Sequence, residues 1–226
     1  KCRTLYCPVP KVASSNWKVL IRVFDEVPDA KNLATLHDWS RNGIRRLFEF
    51  DEATVASFLH PRTGFFKFVF VRNPYNRVLS AYINKILDGH SRINTKGIEG
   101  YKAYVANVYN WSYVRDRPIA DEDPLSFDEF VRALDQRAQQ PEYDPLDMNE
   151  HWAPQARLCG FNETGLISYD LVGRFENYAE DAARVLERRG HGSTRFLSQS
   201  DIKFPSVMTE LRSKDFQTEE TLKLIR

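Results

Sequence analysis

Phe65-Phe66-Lys67-Phe68-Val69-Phe70-Val71-Arg72-Asn73-Pro74-Tyr75-Asn76-Arg77-Val78-Leu79-Ser80-Ala81-Tyr82 is the stretch on which the fold turns. Its short apolar run, rich in Val and Phe, reads as a buried strand over Phe66–Val71. The run stops at Arg72. Asn73-Pro74 then signals a helix start, with Asn as cap and Pro at the first helical position. The helix predicted over Pro74–Leu87 carries Arg77 and Ser80 three residues apart, on one face. A cation at the carboxyl end of a strand, beside a helix amino terminus and a hydroxyl, makes an anion receptor.

The first twenty residues supply a matching half. Leu5-Tyr6-Cys7-Pro8-Val9 reads as a short strand and Pro10-Lys11-Val12-Ala13-Ser14-Ser15-Asn16 as a loop. From Asn16 a helix is predicted whose apolar residues Trp17, Leu20, Ile21 and Phe24 recur at i, i+3, i+4 and i+7. A strand, a short loop with a lysine and hydroxyls, and a helix together form a phosphate cradle. The pattern G-x-x-x-x-G-K-[ST] is absent, and the lysine precedes the hydroxyls, which weakens a kinase or ATPase reading.

Further along, Asp51–Leu59 reads as a helix stopped by His60-Pro61. Ser126-Phe127-Asp128-Glu129 is a capping box opening a helix with Phe127, Phe130, Val131 and Leu134 inward. Ile167–Val172 reads as another strand, followed by a helix over Tyr178–Arg189 closed by Gly190. Strands alternating with helices predict an α/β fold, a parallel sheet flanked by helices. Ligands then bind at the strands' carboxyl ends, the side of Lys11 and Arg72. Between Asp88 and Asp123 periodicity fades and aromatics gather (Tyr101, Tyr104, Tyr109, Trp111, Tyr113). That segment is either a packed excursion or a surface on which sugar rings stack.

Pro8-Val9-Pro10-Lys11-Val12-Ala13-Ser14-Ser15-Asn16-Trp17 resembles the 5'-phosphosulfate loop of Golgi carbohydrate sulfotransferases. The similarity is greatest to the chondroitin/dermatan and N-acetylgalactosamine 4-O-sulfotransferases and the natural-killer-epitope glucuronyl 3-O-sulfotransferase. Val71 to Tyr82 resembles that group's 3'-phosphate motif. Glu150-His151-Trp152-Ala153-Pro154 with Leu158-Cys159, and Tyr169 to Glu176 with Glu180-Asp181-Ala182, fit as well, so the four motifs span most of the chain. The resemblance implies a P-loop-like sulfotransferase fold. It also implies transfer of a sulfuryl group from 3'-phosphoadenosine-5'-phosphosulfate to a sugar hydroxyl, with no metal. Pro10, Lys11, Val12, Ala13, Ser14, Ser15, Asn16 and Trp17 would form the donor loop, with Lys11 stabilising charge on the departing phosphate. Arg72, Arg77 and Ser80 would take the 3'-phosphate end. The expected partner is a glycan acceptor on a proteoglycan or glycoprotein rather than a nucleic acid. The expected place is the Golgi lumen, behind a membrane anchor that lies outside this chain. Residues 1–226 are expected to be a single catalytic domain, trimmed at both ends.

The attacking hydroxyl must lose a proton, and a histidine in hydrogen-bond reach is the usual agent. His151, inside a resembling motif, is the first candidate; His37, upstream of the Arg72 strand, is the second. Glu150 is a further possibility, and Arg174 and Glu176 either line the cleft or form a structural ion pair. Other readings stay open: a glycan- or nucleotide-binding protein without catalysis on the same scaffold, or a P-loop small-molecule kinase.

Composition suits a folded globular chain, at 42% hydrophobic and 28% charged, so no long disordered tract is expected. With a net charge of only +1, affinity for polyanions must come from local clustering. Cys2, Cys7 and Cys159 are odd in number. Cys7 reads as a small buried apolar residue. Family members often carry a cysteine soon after the one matching Cys159, where Gly160-Phe161-Asn162 stands here, so the local disulfide that the resemblance implies lacks its second cysteine and the pairing stays open. Asn110-Trp111-Ser112 and Asn162-Glu163-Thr164 are glycosylation sequons.

Overall fold

The computed structural model describes residues 3–87, 126–144, 148–160 and 167–192. Both sequons and the aromatic-rich segment after Asp88 lie outside these residues. The chain groups into two compact units, Lys1–Arg72 with Cys159–Phe204, and Asn73–Leu158 with Pro205–Arg226.

The first unit is built on a three-stranded sheet of order β1-β2-β3: β1 Thr4–Cys7, β2 Phe66–Val71 and β3 Leu171–Arg174. Both pairings are parallel, with Tyr6 opposite Phe68 and Val69 opposite Val172. The fold class is therefore the expected mixture of helices with a small parallel sheet. β2 coincides with its prediction because its apolar run is central and buried, Phe68, Val69 and Phe70 being inaccessible to solvent. β3 starts four residues later than the expected Ile167. Asp170 ends the approach: its main-chain N–H bonds the Lys67 carbonyl at 2.8 Å, and its carboxylate accepts the Lys67 N–H at 2.7 Å. Gly173 sits where β3 crosses Phe70, and a Cβ there would lie 2.5 Å from that ring.

Helix α1 spans Ser14–Phe24, two residues earlier than expected. Short α2 covers Leu33–Leu36, and α3 covers Glu52–Leu59, where Asp51 accepts the Thr54 N–H. On α1, Trp17 is fully buried among Tyr6, Phe68, Phe70 and the Tyr178 ring. Helix α6, Tyr178–Arg188, buries Ala182, Val185 and Leu186, and Gly190 at φ 76° follows its end. Burial pushes the Tyr6 and Tyr178 hydroxyls far above the usual phenol range.

Cys7 is not an isolated apolar residue: it is disulfide-bonded to Cys159, 152 residues away. Nothing in local periodicity links two positions so distant. The bond ties the carboxyl end of β1 to the segment preceding β3, and the Tyr169 hydroxyl holds the Cys159 carbonyl at 2.6 Å.

The second unit holds α4, Pro74–Tyr82, which continues as a π-helical turn over Ile83–Leu87, and α5, Phe127–Ala138. The capping box of Ser126 and Glu129 is present. Leu79, Tyr82, Ile83, Ile86, Phe130 and Val131 form its core with Trp152. Among the described residues, no helix is long and apolar enough to cross a membrane.

Candidate functional site

The chain leaves β1 at Cys7 and reaches α1 through a loop shaped from inside. Val9, Pro10 and Val12 are buried, and Trp17 anchors the first helical turn in the core. Trp17, expected among donor-binding residues, is thus the loop's foundation rather than its lining. Lys11 and Ala13 both adopt left-handed backbone conformations, φ 69° and 63°, without being glycine. Each costs about 1–2 kcal/mol relative to an ordinary conformation, which the buried residues on either side must offset. The Ala13 carbonyl accepts the N–H groups of Asn16 and Trp17. No side chain caps this helix start. Main-chain N–H groups of the first turn, Ser14 and Ser15 included, are therefore presented with the positive end of an eleven-residue helix behind them. Alternating backbone handedness beside such a start forms a concavity suited to an anion.

Arg72 leaves the carboxyl end of β2, next to β1 in the sheet. Its Nη1 donates to the Lys11 carbonyl at 3.2 Å, and its guanidinium carbon lies 4.5 Å from the Phe175 ring centre. Phe175 directly follows β3. The carboxyl ends of all three parallel strands therefore meet at one edge: the Lys11 loop after β1, Arg72 after β2 and Phe175 after β3. Phe175 was quoted in the sequence only as part of a motif. Its signal was its place one residue past a strand at whose neighbour's end an arginine stands. Arg174, its neighbour, is held through its main-chain N–H by the Asp181 carboxylate at 2.8 Å.

His37, exposed just after α2, brings its Nε2 to 3.3 Å from the Ser15 hydroxyl. The structure thus joins Ser15, Lys11, Arg72 and His37 within the first unit.

Arg77, Ser80, Glu150 and His151 belong to the second unit. Arg77, expected among the donor-binding residues, is buried at 2% exposure and donates to the carbonyls of Ala153 at 2.8 Å and Glu150 at 2.7 Å. Its observed work is to brace the Glu150–Ala153 segment. Ser80 is buried on the same helix. His151 is half-buried, and Asn149 Oδ1 accepts both its main-chain N–H at 3.0 Å and its Nδ1 at 2.7 Å. With Nδ1 as donor, Nε2 carries the lone pair, the tautomer a general base needs. Asn149 was missed in the sequence, although an amide two residues before a candidate base is a recognisable orienting partner. Among the described residues, no group of His, Cys, Asp and Glu is arranged to hold a metal ion.

Similarity to known proteins bears on this site. The sequence model of the sulfotransferase family matches residues 1–223. Carbohydrate sulfotransferase 14 of Danio rerio is 32% identical over 209 residues, covering 92% of this chain and 49% of the relative. Carbohydrate sulfotransferase 14 of Homo sapiens is 35% identical over 185 residues, covering 82% and 44% respectively. Carbohydrate sulfotransferase 11 of Mus musculus is 30% identical over 231 residues, covering 96% and 56%. The chain spans about half the length of the curated relatives it matches. No solved structure matches it significantly. With a match over nearly its whole length, and with the motif residues Lys11 and Arg72 meeting at the carboxyl edge of a parallel sheet, the chain belongs to the sulfotransferase family.

Proposed function

We propose that the protein transfers a sulfuryl group from 3'-phosphoadenosine-5'-phosphosulfate to a hydroxyl of a glycan, on a P-loop-like scaffold. The observation that carries this reading is the 3.2 Å bond from Arg72 to the Lys11 carbonyl, which brings the Arg72 guanidinium to the backbone of the Lys11 loop at one edge of the sheet. A nucleotide phosphorylated at both ends needs two anion receptors side by side. The uncapped, left-handed loop suits the 5' end, with Ser14, Ser15 and the first-turn amides as donors, and Arg72 suits the 3' end. Ser80 is assigned to the 3' end from the motif it occupies. Arg77 is left out of the receptor because it braces the second unit.

The donor supplies an activated sulfuryl group on a phosphate leaving group. Sulfuryl transfer resembles phosphoryl transfer in asking the protein for in-line positioning and charge stabilisation. The Lys11 ammonium neutralises charge that develops on the departing oxygen. His37, fixed to the donor loop through Ser15, takes the proton of the attacking hydroxyl at a ring nitrogen. A second assignment of the base, to His151, is favoured by its Asn149-fixed tautomer. Comparing the two alanine variants separates the assignments: the base variant keeps nucleotide binding and loses turnover, and the other keeps turnover. The Cys7–Cys159 disulfide accords with an oxidising lumen such as the secretory pathway.

The direct test is thermal unfolding with 3'-phosphoadenosine-5'-phosphate. At about a hundredfold over Kd, linkage gives about 2.7 kcal/mol, a rise of roughly 5–10 °C for a chain of this size. Transfer of labelled sulfate onto desulfated glycans completes the test. An unchanged melting temperature at saturating nucleotide would overturn the proposal.

A further inference from the structure

Beside the donor loop, two large rings face water: Trp39 at 46% exposure and Phe48 at 74%. Between them lies the Arg46 guanidinium, its carbon 4.2 Å from the Phe48 ring centre and 5.2 Å from that of Trp39. Lys18 Nζ lies 4.5 Å from the centre of the same Trp39 ring. Cation, ring, cation, ring: these contacts restrain the Arg46 guanidinium. Its Nε donates to Glu49 Oε1 at 2.8 Å, and its main-chain N–H reaches the same oxygen at 3.3 Å. Among the described residues, nothing accepts from Nη1 or Nη2. The outer edge of the guanidinium is left with its parallel N–H groups, the fork that matches a carboxylate or a sulfate ester bidentately.

We propose that Arg46, stacked between Trp39 and Phe48, is the receptor for a negatively charged group of the glycan acceptor, and so selects glycans bearing a carboxylate or sulfate ester near the hydroxyl to be modified. This rests on the reading of the protein as a glycan sulfotransferase. Placement supports it. His37 meets Ser15 and Trp39 meets Lys18, residues three apart on α1, so the ladder begins about one helical turn from the end that opens on the donor loop. A glycan whose hydroxyl reaches His37 would cross this surface. Charge supports it too. The carboxylates nearby are engaged, Glu49 by Arg46 and Asp38 by Ser40 and Arg41, so they do not occupy the outer edge of Arg46. An arginine already restrained by two rings and by Glu49 loses little side-chain freedom on binding, unlike an ordinary surface arginine. The exposed Phe48 ring offers an apolar face next to the fork, where the C–H face of a sugar can rest.

The test measures binding of the purified chain to three probes: chemically desulfated chondroitin, its carboxyl-reduced form, and the carboxyl-reduced form after chemical sulfation. Wild type should bind the uncharged probe at least tenfold more weakly than at least one charged probe. Arg46→Ala should lower affinity for the preferred charged probe about tenfold and leave the uncharged one unchanged; Arg46→Lys should recover only part, since an ammonium keeps the charge without the fork. Which charged probe responds tells carboxylate from sulfate ester. A nucleotide-induced rise in melting temperature that survives in Arg46→Ala shows the fold and donor site intact. Equal binding of charged and uncharged probes, or unaltered charged-probe affinity in both variants, overturns the proposal. Charge-selective, Arg46-dependent binding without any nucleotide effect would instead sink the donor reading and leave the anion receptor standing.

Discussion

Helices α1 and α4 both follow a strand of the sheet, yet they begin in opposite ways. The start of α1 has no side-chain cap and is reached through two left-handed, non-glycine residues, Lys11 and Ala13. The start of α4 is complete in itself: Asn73 caps the Asn76 N–H, and Pro74 removes one of the amides that would need a partner. Sequence suggests two equivalent anion sites. The structure makes them unlike. At the first, main-chain amides without a side-chain cap follow a conformation the chain would not choose; at the second, the helix end is satisfied and the proposed receptor rests on the charge of Arg72, the residue just past β2. A receptor made of backbone recognises the shape of a phosphate, whereas one made of a guanidinium is a removable point of charge and geometry.

The largest effect that tests this difference is catalytic. Lys11→Ala should reduce turnover by about a hundred- to a thousandfold, the loss of one group stabilising charge in the transition state. It should leave the nucleotide-induced melting shift largely in place, because backbone amides remain. Arg72→Ala should do the reverse at the level of binding, abolishing most of that shift. Single-turnover rates and thermal shifts with 3'-phosphoadenosine-5'-phosphate check both, and equal loss of binding in the two variants would erase the distinction.

The next effects concern what anchors each region. In the first unit the anchor is covalent. Cys159→Ser should cost about 2–4 kcal/mol of stability, because the closed loop is long. The loss should appear in urea unfolding as a lower midpoint, and reducing agent should move the wild type to the same value. In the second unit the anchor is Arg77, with two charge-assisted bonds to the Ala153 and Glu150 carbonyls. Arg77→Ala should cost about 3 kcal/mol, by leaving those acceptors unmet and a buried space unfilled. If Arg77→Ala instead weakened nucleotide binding with stability intact, the arginine would return to the donor site.

Legibility in the sequence followed the range of the forces involved. Strand β2, the capping box at Ser126 and the end of the last described helix at Gly190 were all readable, because each is set by neighbours within a few residues. The parallel sheet followed from alternation of strands and helices. Lys11 and Arg72 were legible as strand-end cations, but their contact through the Lys11 carbonyl depends on β1 and β2 being neighbours. The Cys7–Cys159 bond was not readable, since it joins positions far apart in the chain; helical spacing put Trp17 on the apolar face of α1 but could not name the rings it packs against. For Arg77, helical spacing gives a face shared with Ser80 but does not say what that face meets, and the structure sets its guanidinium on the Ala153 and Glu150 carbonyls. The stacking of Arg46 on Trp39 and Phe48 joins residues separated by up to nine positions in a segment without periodicity.

The smallest predicted effects bear on the helix starts themselves, and they differ in sign. Asn73→Ala removes a cap and should cost about 1 kcal/mol. Ala13→Gly should be neutral or stabilising by up to about 1 kcal/mol. Glycine accepts φ near 63° without the Cβ penalty, and this relief opposes the greater freedom it gives the unfolded chain. A more stable Ala13→Gly variant that binds the nucleotide less tightly would show that strain in the loop holds the amides ready for the phosphate. The same stabilisation with binding unchanged would mean that buried Val12 and Trp17 set the loop's shape regardless of what Ala13 prefers. Urea midpoints paired with nucleotide titrations on the two variants distinguish these outcomes. They also separate a receptor shaped by strain from one shaped by packing, the remaining ambiguity in how the two helix starts differ.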